Sequence, residues 1–268
     1  MDTDKQRVHD FWNEAACGEK IYLAGSDREA YESQARARYA LEPYIAELAA
    51  FDRSRGRRVL EIGVGLGADH QRFAEAGCDL FGIDLTERAV AHTQQRLAAF
   101  SLSSRVAVGD AERLDFPDES FDVVYSWGVL HHSPDTARAM SEVLRVLKRG
   151  GTARLMIYHK WSLVGLMLWV RYALLGLRPW LSLREVYARY LESPGTKAYS
   201  IGEARALLAG FSEITTRIVL SHADLLESQA GQRHQGGLLS LARRIWPRTL
   251  IRRFLPGLGL FMLIQARK

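Results

Sequence analysis

From residue 57 onward, short apolar runs and amphipathic stretches take turns along the chain. RRVLEIG, residues 57 to 63, is an apolar run ending in glycine, and GADHQRFAEAG, residues 67 to 77, reads as a helix closed by Gly77. CDLFGID predicts a second strand, after which Thr86 caps a helix over ERAVAHTQQRLAAF. RVAVGD and FDVVYS predict the third and fourth strands. Met140, Val143, Leu144 and Leu147 then recur at helical spacing before Gly150 and Gly151, and TARLMIYH predicts the fifth strand. Ser200 and Glu203 form a capping box for a helix that carries Ala204, Leu207, Leu208 and Phe211 on one face and ends at Gly210. ITTRIVL and LFMLIQA predict the last two strands.

Strands alternating with helices at this spacing imply parallel strands joined by right-handed crossovers. The expected class is α/β, a Rossmann-like doubly wound sheet whose ligands bind beyond the carboxyl ends of the strands. One ligand site is therefore expected in a single domain, residues 1–268. Within it, residues 1–56 form an N-terminal helical extension, in which Pro43 breaks or starts a helix, and residues 57–159 form the ligand-binding core. Residues 160–199 are an apolar insertion, and residues 200–268 hold the last helix and strands with a basic and apolar insertion at 222–256.

The loop EIGVGLGAD places Gly63, Gly65 and Gly67 between the first strand and its helix, where glycine permits a tight turn and close approach of backbone N–H groups to a ligand. Gly63, Gly65 and Ala68 also fit the dinucleotide pattern G-x-G-x-x-A, and Asp84 stands 21 residues after Gly63 at the end of the second strand. An acidic side chain there suits ribose hydroxyls. A nucleoside-containing ligand follows, and a NAD-dependent oxidoreductase is one way to use it.

The segments VLEIGVGLGAD, FGIDLTERAV, GDAERLDFPDESFDVVYSWGVLHHSPD and EVLRVLKRGG, in that order, give the better match. Over residues 57 to 157 the chain resembles the class I S-adenosylmethionine-dependent methyltransferases, particularly the small-molecule branch that includes quinone-biosynthesis enzymes. The resemblance implies seven strands, the seventh inserted antiparallel beside the fifth, and S-adenosylmethionine as cofactor. It also implies that Gly63, Gly65 and Gly67 cradle the amino-acid portion, with Glu61 orienting that loop or its ligand. Asp84 would accept the ribose hydroxyls, Asp110 the adenine amino group and Ala111 N–H a ring nitrogen, with Leu85 on the adenine face. Ser126 and Trp127 would border the methionine portion.

For the acceptor, the resemblance fixes no obligatory catalytic motif. His131 and His132 follow the fourth strand, and a neutral imidazole there can take a proton, although in the resembled family this pair often shapes the loop. Tyr158 and His159 end the fifth strand and are candidates of the same kind, or hydrogen-bonded supports. Phe11, Trp12, Tyr22, Tyr31 and Tyr39 either fold over the cofactor as a lid or pack in the core. Lys197 and Tyr199, in ESPGTKAYS, are candidates to reach a polar group of the substrate. No metal-ligand spacing is present, and Cys17 and Cys78 read as structural.

Composition adds a polarity along the chain. No Asp or Glu follows Glu227, whereas Arg233, Arg243, Arg244, Arg248, Arg252, Arg253, Arg267 and Lys268 do, so the tail carries +8 of a net +5. These cations are interleaved with Leu238, Leu239, Leu241, Ile245, Trp246, Leu250, Ile251, Phe254 and Leu255, a mixture that suits a membrane surface or an apolar channel better than nucleic acid. WSLVGLMLWVRYALL, residues 161 to 175, is interrupted by Arg171 and is too short for the roughly 20 residues of a membrane span. It reads as a substrate-pocket lid with Leu166, Met167 and Val170 toward the pocket. The expectation is thus a cytoplasmic methyltransferase of secondary metabolism acting on a lipophilic phenol, carboxyl, enol or activated carbon. A noncatalytic or membrane-peripheral S-adenosylmethionine-binding protein remains the alternative, and the sequence leaves oligomeric state open.

Overall fold

In the computed structural model, which describes residues 3–227 and 244–268, the elements follow the alternation seen in the sequence. Four helices come first: α1 (Thr3–Glu14), α2 (Glu19–Tyr22), α3 (Arg28–Leu41) and α4 (Tyr44–Ala49), with Pro43 at the start of α4. The core runs β1 (Arg58–Ile62), α5 (Ala68–Glu75), β2 (Asp79–Asp84), α6 (Glu87–Ala99), β3 (Arg105–Val108), β4 (Phe121–Trp127), α7 (Thr136–Val146) and β5 (Leu147–Tyr158). Helices α8 (Leu163–Trp169) and α9 (Leu183–Tyr190) occupy the first insertion, and α10 (Ile201–Leu207), β6 (Ser212–Val219), α11 (Arg248–Phe254) and β7 (Phe261–Arg267) complete the order. Of the basic and apolar tail residues, Arg233, Leu238, Leu239, Leu241 and Arg243 lie outside the described residues.

The sheet has seven strands in the order β3-β2-β1-β4-β5-β7-β6, with β7 antiparallel to both β5 and β6. Strand order reverses between β1 and β4, which creates a crevice at the carboxyl ends of those two strands. The central strands are apolar on both faces because helices cover both: Leu60, Ile62, Val124 and Leu155 pack toward α7 and α10, while Val59, Val123 and Tyr125 pack toward α4 and α5. Ile45, Ala49 and Phe51 belong to the second of these clusters, so the N-terminal extension is part of the core.

Local chemistry sets the helix starts. Asp27, Thr86, Asp135 and Ser162 accept backbone N–H groups as N-caps, and Ser182–Glu185 and Ser200–Glu203 form complete capping boxes. Two ends differ from expectation. Helix α10 stops at Leu207, short of Gly210, and β5 begins at Leu147 because Leu147 already pairs with Phe121 before the register shift that follows. The stretch 161–175 is α8 followed by one π-helical turn, Val170–Leu174. Among the described residues no helix is long and apolar enough to cross a membrane.

Candidate active site

The glycine loop leaves β1 at the crevice. Gly63 and Gly65 have φ of 85° and 53°, and they differ in what surrounds them. A Cβ on Gly63 would lie 2.1 Å from Val129 Cγ2, whereas one on Gly65 would meet nothing within 4 Å. The loop is therefore packed at its root and open at its centre. Fully buried Arg96 holds it from behind, donating to Leu66 O at 2.8 Å and to Gln71, Gln34 and Tyr31 O. From the front, Asp84 accepts the Gly65 N–H at 3.2 Å and the Thr86 N–H and O–H at 3.0 and 2.9 Å. Burial raises the Asp84 carboxyl above its usual range, against the effect of those hydrogen bonds.

Glu61, on β1 beneath the loop, has its Oε2 2.8 Å from His70 Nδ1. The Ser104 hydroxyl gives its hydrogen to Leu80 O at 2.7 Å, so it accepts from His70 Nε2 at 2.9 Å. With a hydrogen fixed on Nε2, one further proton must lie between Nδ1 and Glu61. Burial and the nearby Asp69 and Asp84 raise Glu61 well above the carboxylate range, despite Arg38, and burial pushes His70 down to about 3. Both directions place that proton on Glu61, as a neutral acid donating to a neutral imidazole.

A cavity of about 940 Å³ extends from this loop. One end is lined by Glu61, the glycine loop, Asp84, Leu85, Asp110, Ala111 and Trp127. The other is lined by Val164, Leu166, Met167, Val170 and Phe261, and by Glu192, which the sequence reading passed over. Phe11, Trp12 and Tyr22 of the extension also line it. Helix α1 is strapped over the first end: Lys5 Nζ lies 2.6 Å from both Asp110 Oδ2 and Glu112 Oε2, and His9 Nε2 lies 3.0 Å from Glu87.

Tyr158, His132 and Glu192, all on the cavity wall, form a polar cluster. Tyr158 donates to Glu192 Oε2 at 2.7 Å, and His132 Nε2 lies 3.5 Å from the same oxygen. His132 Nδ1 contacts Ser193 Oγ at 2.8 Å and Thr196 Oγ1 at 3.1 Å, and Trp12 packs edge-on against the ring. Burial, together with the charge of Lys197, pushes His132 down to about 3, so the ring is neutral. The facing carboxylate favours the tautomer with hydrogen on Nε2, and the Ser193 hydroxyl then donates to Nδ1.

Several expected site residues do not line the cavity. His131 is fully buried behind His132 and Tyr158, with neither ring nitrogen hydrogen-bonded among the described residues. His159 donates Nδ1–H to Gly259 O at 3.1 Å, on the far side of β5. Ser126 donates to Ile62 O and ties β4 to β1. Lys197 donates to Ser133 O at 2.6 Å, and Tyr199 packs against the core beside α7 and α10. Tyr31 and Tyr39 are core residues, the latter donating to Asp69 at 2.9 Å. Among the described residues no group of three or more His, Cys, Asp or Glu is placed to hold a metal ion.

The comparison that decides the family falls on this core: the model for the methyltransferase domain matches residues 60–155. Residues 60–155 form a class I methyltransferase domain. Over 108 residues the chain is 37% identical to phosphoethanolamine N-methyltransferase 2 of Caenorhabditis elegans, covering 39% of this chain and 24% of that protein. It is 34% identical over 105 residues to phosphatidylethanolamine N-methyltransferase of Cereibacter sphaeroides, covering 38% and 51%. Against 2-methyl-6-phytyl-1,4-hydroquinone methyltransferase of Synechocystis sp. it is 35% identical over 108 residues, covering 40% and 33%. The chain thus spans between a quarter and about half of the curated relatives it matches. The fold likeness reaches farther than the domain. YcgJ of Bacillus subtilis superposes with a TM-score of 0.55 at 19% identity, covering 85% of this chain and 98% of that one. The [4+2]-cyclase SpnF superposes with a TM-score of 0.55 at 18% identity, covering 98% and 92%. The methyl donor for which such a domain is built is S-adenosylmethionine. The donor end fits a nucleoside with a zwitterionic tail: the space over Gly65 is open and the Asp84 carboxylate is fixed beside it.

Proposed function

We propose that this protein transfers the methyl group of S-adenosylmethionine to a small lipophilic acceptor. One observation carries the reading: the glycine loop with Asp84 and the apolar wall built by the first insertion line a single continuous cavity. Asp84 would hold the ribose hydroxyls, Asp110 with Ala111 the adenine edge, Leu85 the adenine face, and the loop Gly63–Gly67 the amino-acid portion beside Trp127. When bound, the donor supplies a methyl group already activated on a sulfonium, so the chain's own task is alignment, exclusion of water and removal of the nucleophile's proton. Trp12, Leu166, Met167 and Val170 align an apolar body. Tyr158 and His132 hold the Glu192 carboxylate toward the cavity, and Glu192 rather than His132 takes the proton, because the His132 lone pair is turned to Ser193. Acceptors of this kind are natural-product- and quinone-like molecules with a phenol, carboxyl, enol or activated carbon. The reaction belongs in the cytoplasm, in peripheral contact with a membrane.

A second reading is S-adenosylmethionine binding without methyl transfer, since a fold of this kind also serves a [4+2]-cyclase. Calorimetry with S-adenosylmethionine tests what the two share: binding is expected, and Asp84→Ala should weaken it roughly a hundredfold by removing a charge-assisted contact. Absence of binding overturns both. S-adenosylhomocysteine formed only when a long-chain alkylphenol or quinol is supplied supports transfer, whereas tight binding without turnover across such acceptors supports the second reading.

A further inference from the structure

We propose that the two insertions together form a docking surface for an anionic phospholipid bilayer, with the mouth of the cavity on the docked face. The surface is apolar where water would ordinarily be met. Residues 174–180, LLGLRPW, are exposed throughout, Leu177 at 82% and Trp180 at 76%. Leu177 also has φ of 55°, a left-handed conformation that costs a leucine what glycine would adopt freely. A strained, exposed leucine stabilises nothing in the free protein, so its contribution lies in a contact made elsewhere.

The loop is nevertheless built rather than frayed. Its base is fixed by stacking of Tyr172 on Tyr190 at 4.0 Å and by the Trp169 Nε1–H bond to Leu181 O. The π-helical turn at Val170–Leu174 precedes it directly. Helix α11 adds a second apolar strip. Ile251 points inward onto Leu163 of α8 and Leu225, while Leu250 and Phe254 point outward, with Ile245 at 73% exposure just before the helix. The Leu163–Ile251 contact makes the two insertions neighbours. The mouth lies between them, because exposed Leu166, Arg171 and Leu175 all line the cavity, as does Trp246.

Charge selects the partner. Residues 160–184 contain Lys160, Arg171, Arg178 and Arg184 and no Asp or Glu. Residues 244–258 contain Arg244, Arg248, Arg252 and Arg253 and again no acid. Of the cations in the two segments, Lys160 is paired with Glu203 and Arg252 with Glu227, Arg248 donates to Leu225 O and Leu226 O, and Arg253 lies over the Phe254 ring. Apolar side chains that enter the headgroup boundary beside cations that meet lipid phosphates describe an interfacial anchor. A second copy of the chain would bring one net cationic surface onto another. The inference rests on the methyl-transfer reading only for what passes through the mouth, an acceptor drawn from the bilayer.

Vesicle flotation tests it. Phosphatidylcholine vesicles containing about 30% phosphatidylglycerol should bind the protein roughly tenfold or more tightly than phosphatidylcholine alone, and rising salt should weaken that binding. The double variant Leu177→Glu with Trp180→Glu should lose roughly tenfold or more of the affinity, with unchanged S-adenosylhomocysteine binding by calorimetry. Equal binding to both vesicle types, no binding to either, or undiminished binding by the variant overturns the proposal. So does a wild-type dimer in light scattering that the same variant converts to monomer, which assigns the face to a second copy. Failure of S-adenosylhomocysteine binding, by contrast, strikes the donor site and leaves the vesicle result standing.

Discussion

Replacing Glu61 by Gln tests whether the buried Glu61–His70 pair keeps its shared proton above the pH at which the unfolded chain has lost it. In the native protein the pair holds that proton in addition to the one on Nε2 that the neutral ring keeps in every state considered. In the unfolded chain Glu61 returns to its ordinary 4.5 and His70 to 6.5. Between those values the unfolded chain also holds one such proton, on the imidazole, so the pair contributes no slope of stability with pH. Above about 6.5 the unfolded chain holds none while the native pair keeps one, and stability falls by about 1.4 kcal/mol per pH unit until the native pair releases its proton. The sign follows from the raised native value of Glu61: its contribution is complete below 4.5 and is lost as pH rises toward that native value. The lowered native value of His70 acts oppositely between about 3 and 6.5. Glu61→Gln keeps an N–H donor toward Nδ1 and removes the titrating carboxyl, so the slope above about 6.5 disappears. Asp69, Asp84 and Arg38, the charges that face Glu61, are common to both proteins and cancel in the difference. Urea unfolding at about pH 6.5, 7.5 and 8.5 should show the variant gaining up to about 2.7 kcal/mol on the wild type across the range. A separation between the two proteins that stays constant refutes the assignment, because it requires an ionised Glu61 beside a neutral imidazole.

Three further outcomes are expected. Arg38→Ala leaves Asp69 buried without its guanidinium, which donates at 3.2 and 2.7 Å, and should cost about 3–5 kcal/mol in urea unfolding; a cost under about 1 kcal/mol would show that the Tyr39 and Tyr125 hydroxyls suffice for Asp69. Gly65→Ala should cost only about 1–2 kcal/mol of stability, since its methyl enters open space, yet abolish measurable S-adenosylmethionine binding by calorimetry, whereas Gly63→Ala should fail to fold stably against Val129. Lys5→Ala removes both ion pairs that hold α1 over Asp110, and amide exchange in residues 3–14 should speed up roughly tenfold or more; unchanged exchange would show that the His9 and Arg88 contacts alone hold the helix.

The alternation of apolar strands with capped helices was legible because each element's cue is local: Thr86, Ser200 and Glu203 act within a turn of their own positions. The order and direction of β6 and β7 came instead from the family resemblance, since no local pattern distinguishes an inserted antiparallel strand. The glycine loop and Asp84 were legible for a similar reason, both lying at strand ends the sequence marks. Direction of a side chain was not legible. His131 and His132 are adjacent, yet a short 3-10 turn buries one ring and brings the other to the cavity, and Tyr158 and His159 part in the same way because successive strand residues face opposite sides. Glu192 escaped notice although it opens ESPGTKAYS, because in that segment only Lys197 and Tyr199 are read toward the substrate. Its partners, Tyr158 and His132, lie 34 and 60 positions away, and only folding of the insertion brings them together.

That division also decides how much the relatives say about the acceptor. The matched segment, residues 60–155, supplies the donor end: Glu61, the glycine loop, Asp84, Leu85, Asp110 and Trp127. Nearly every wall of the other end falls outside it. Trp12 and Tyr22 come from the extension, Leu166, Met167, Val170 and Glu192 from the first insertion, and Phe261 from β7. A phosphoethanolamine, a phosphatidylethanolamine and a phytyl hydroquinone methyltransferase each match 38–40% of this chain, although their names give three different acceptors. On the proposed reading, acceptor choice is made by surfaces outside residues 60–155. In this chain those surfaces are apolar, with Glu192 set among them and exposed Leu166 and Leu175 on the cavity wall. On the proposed reading, a molecule as small and charged as phosphoethanolamine would leave those apolar walls in contact with water, whereas a long hydrocarbon body would cover them.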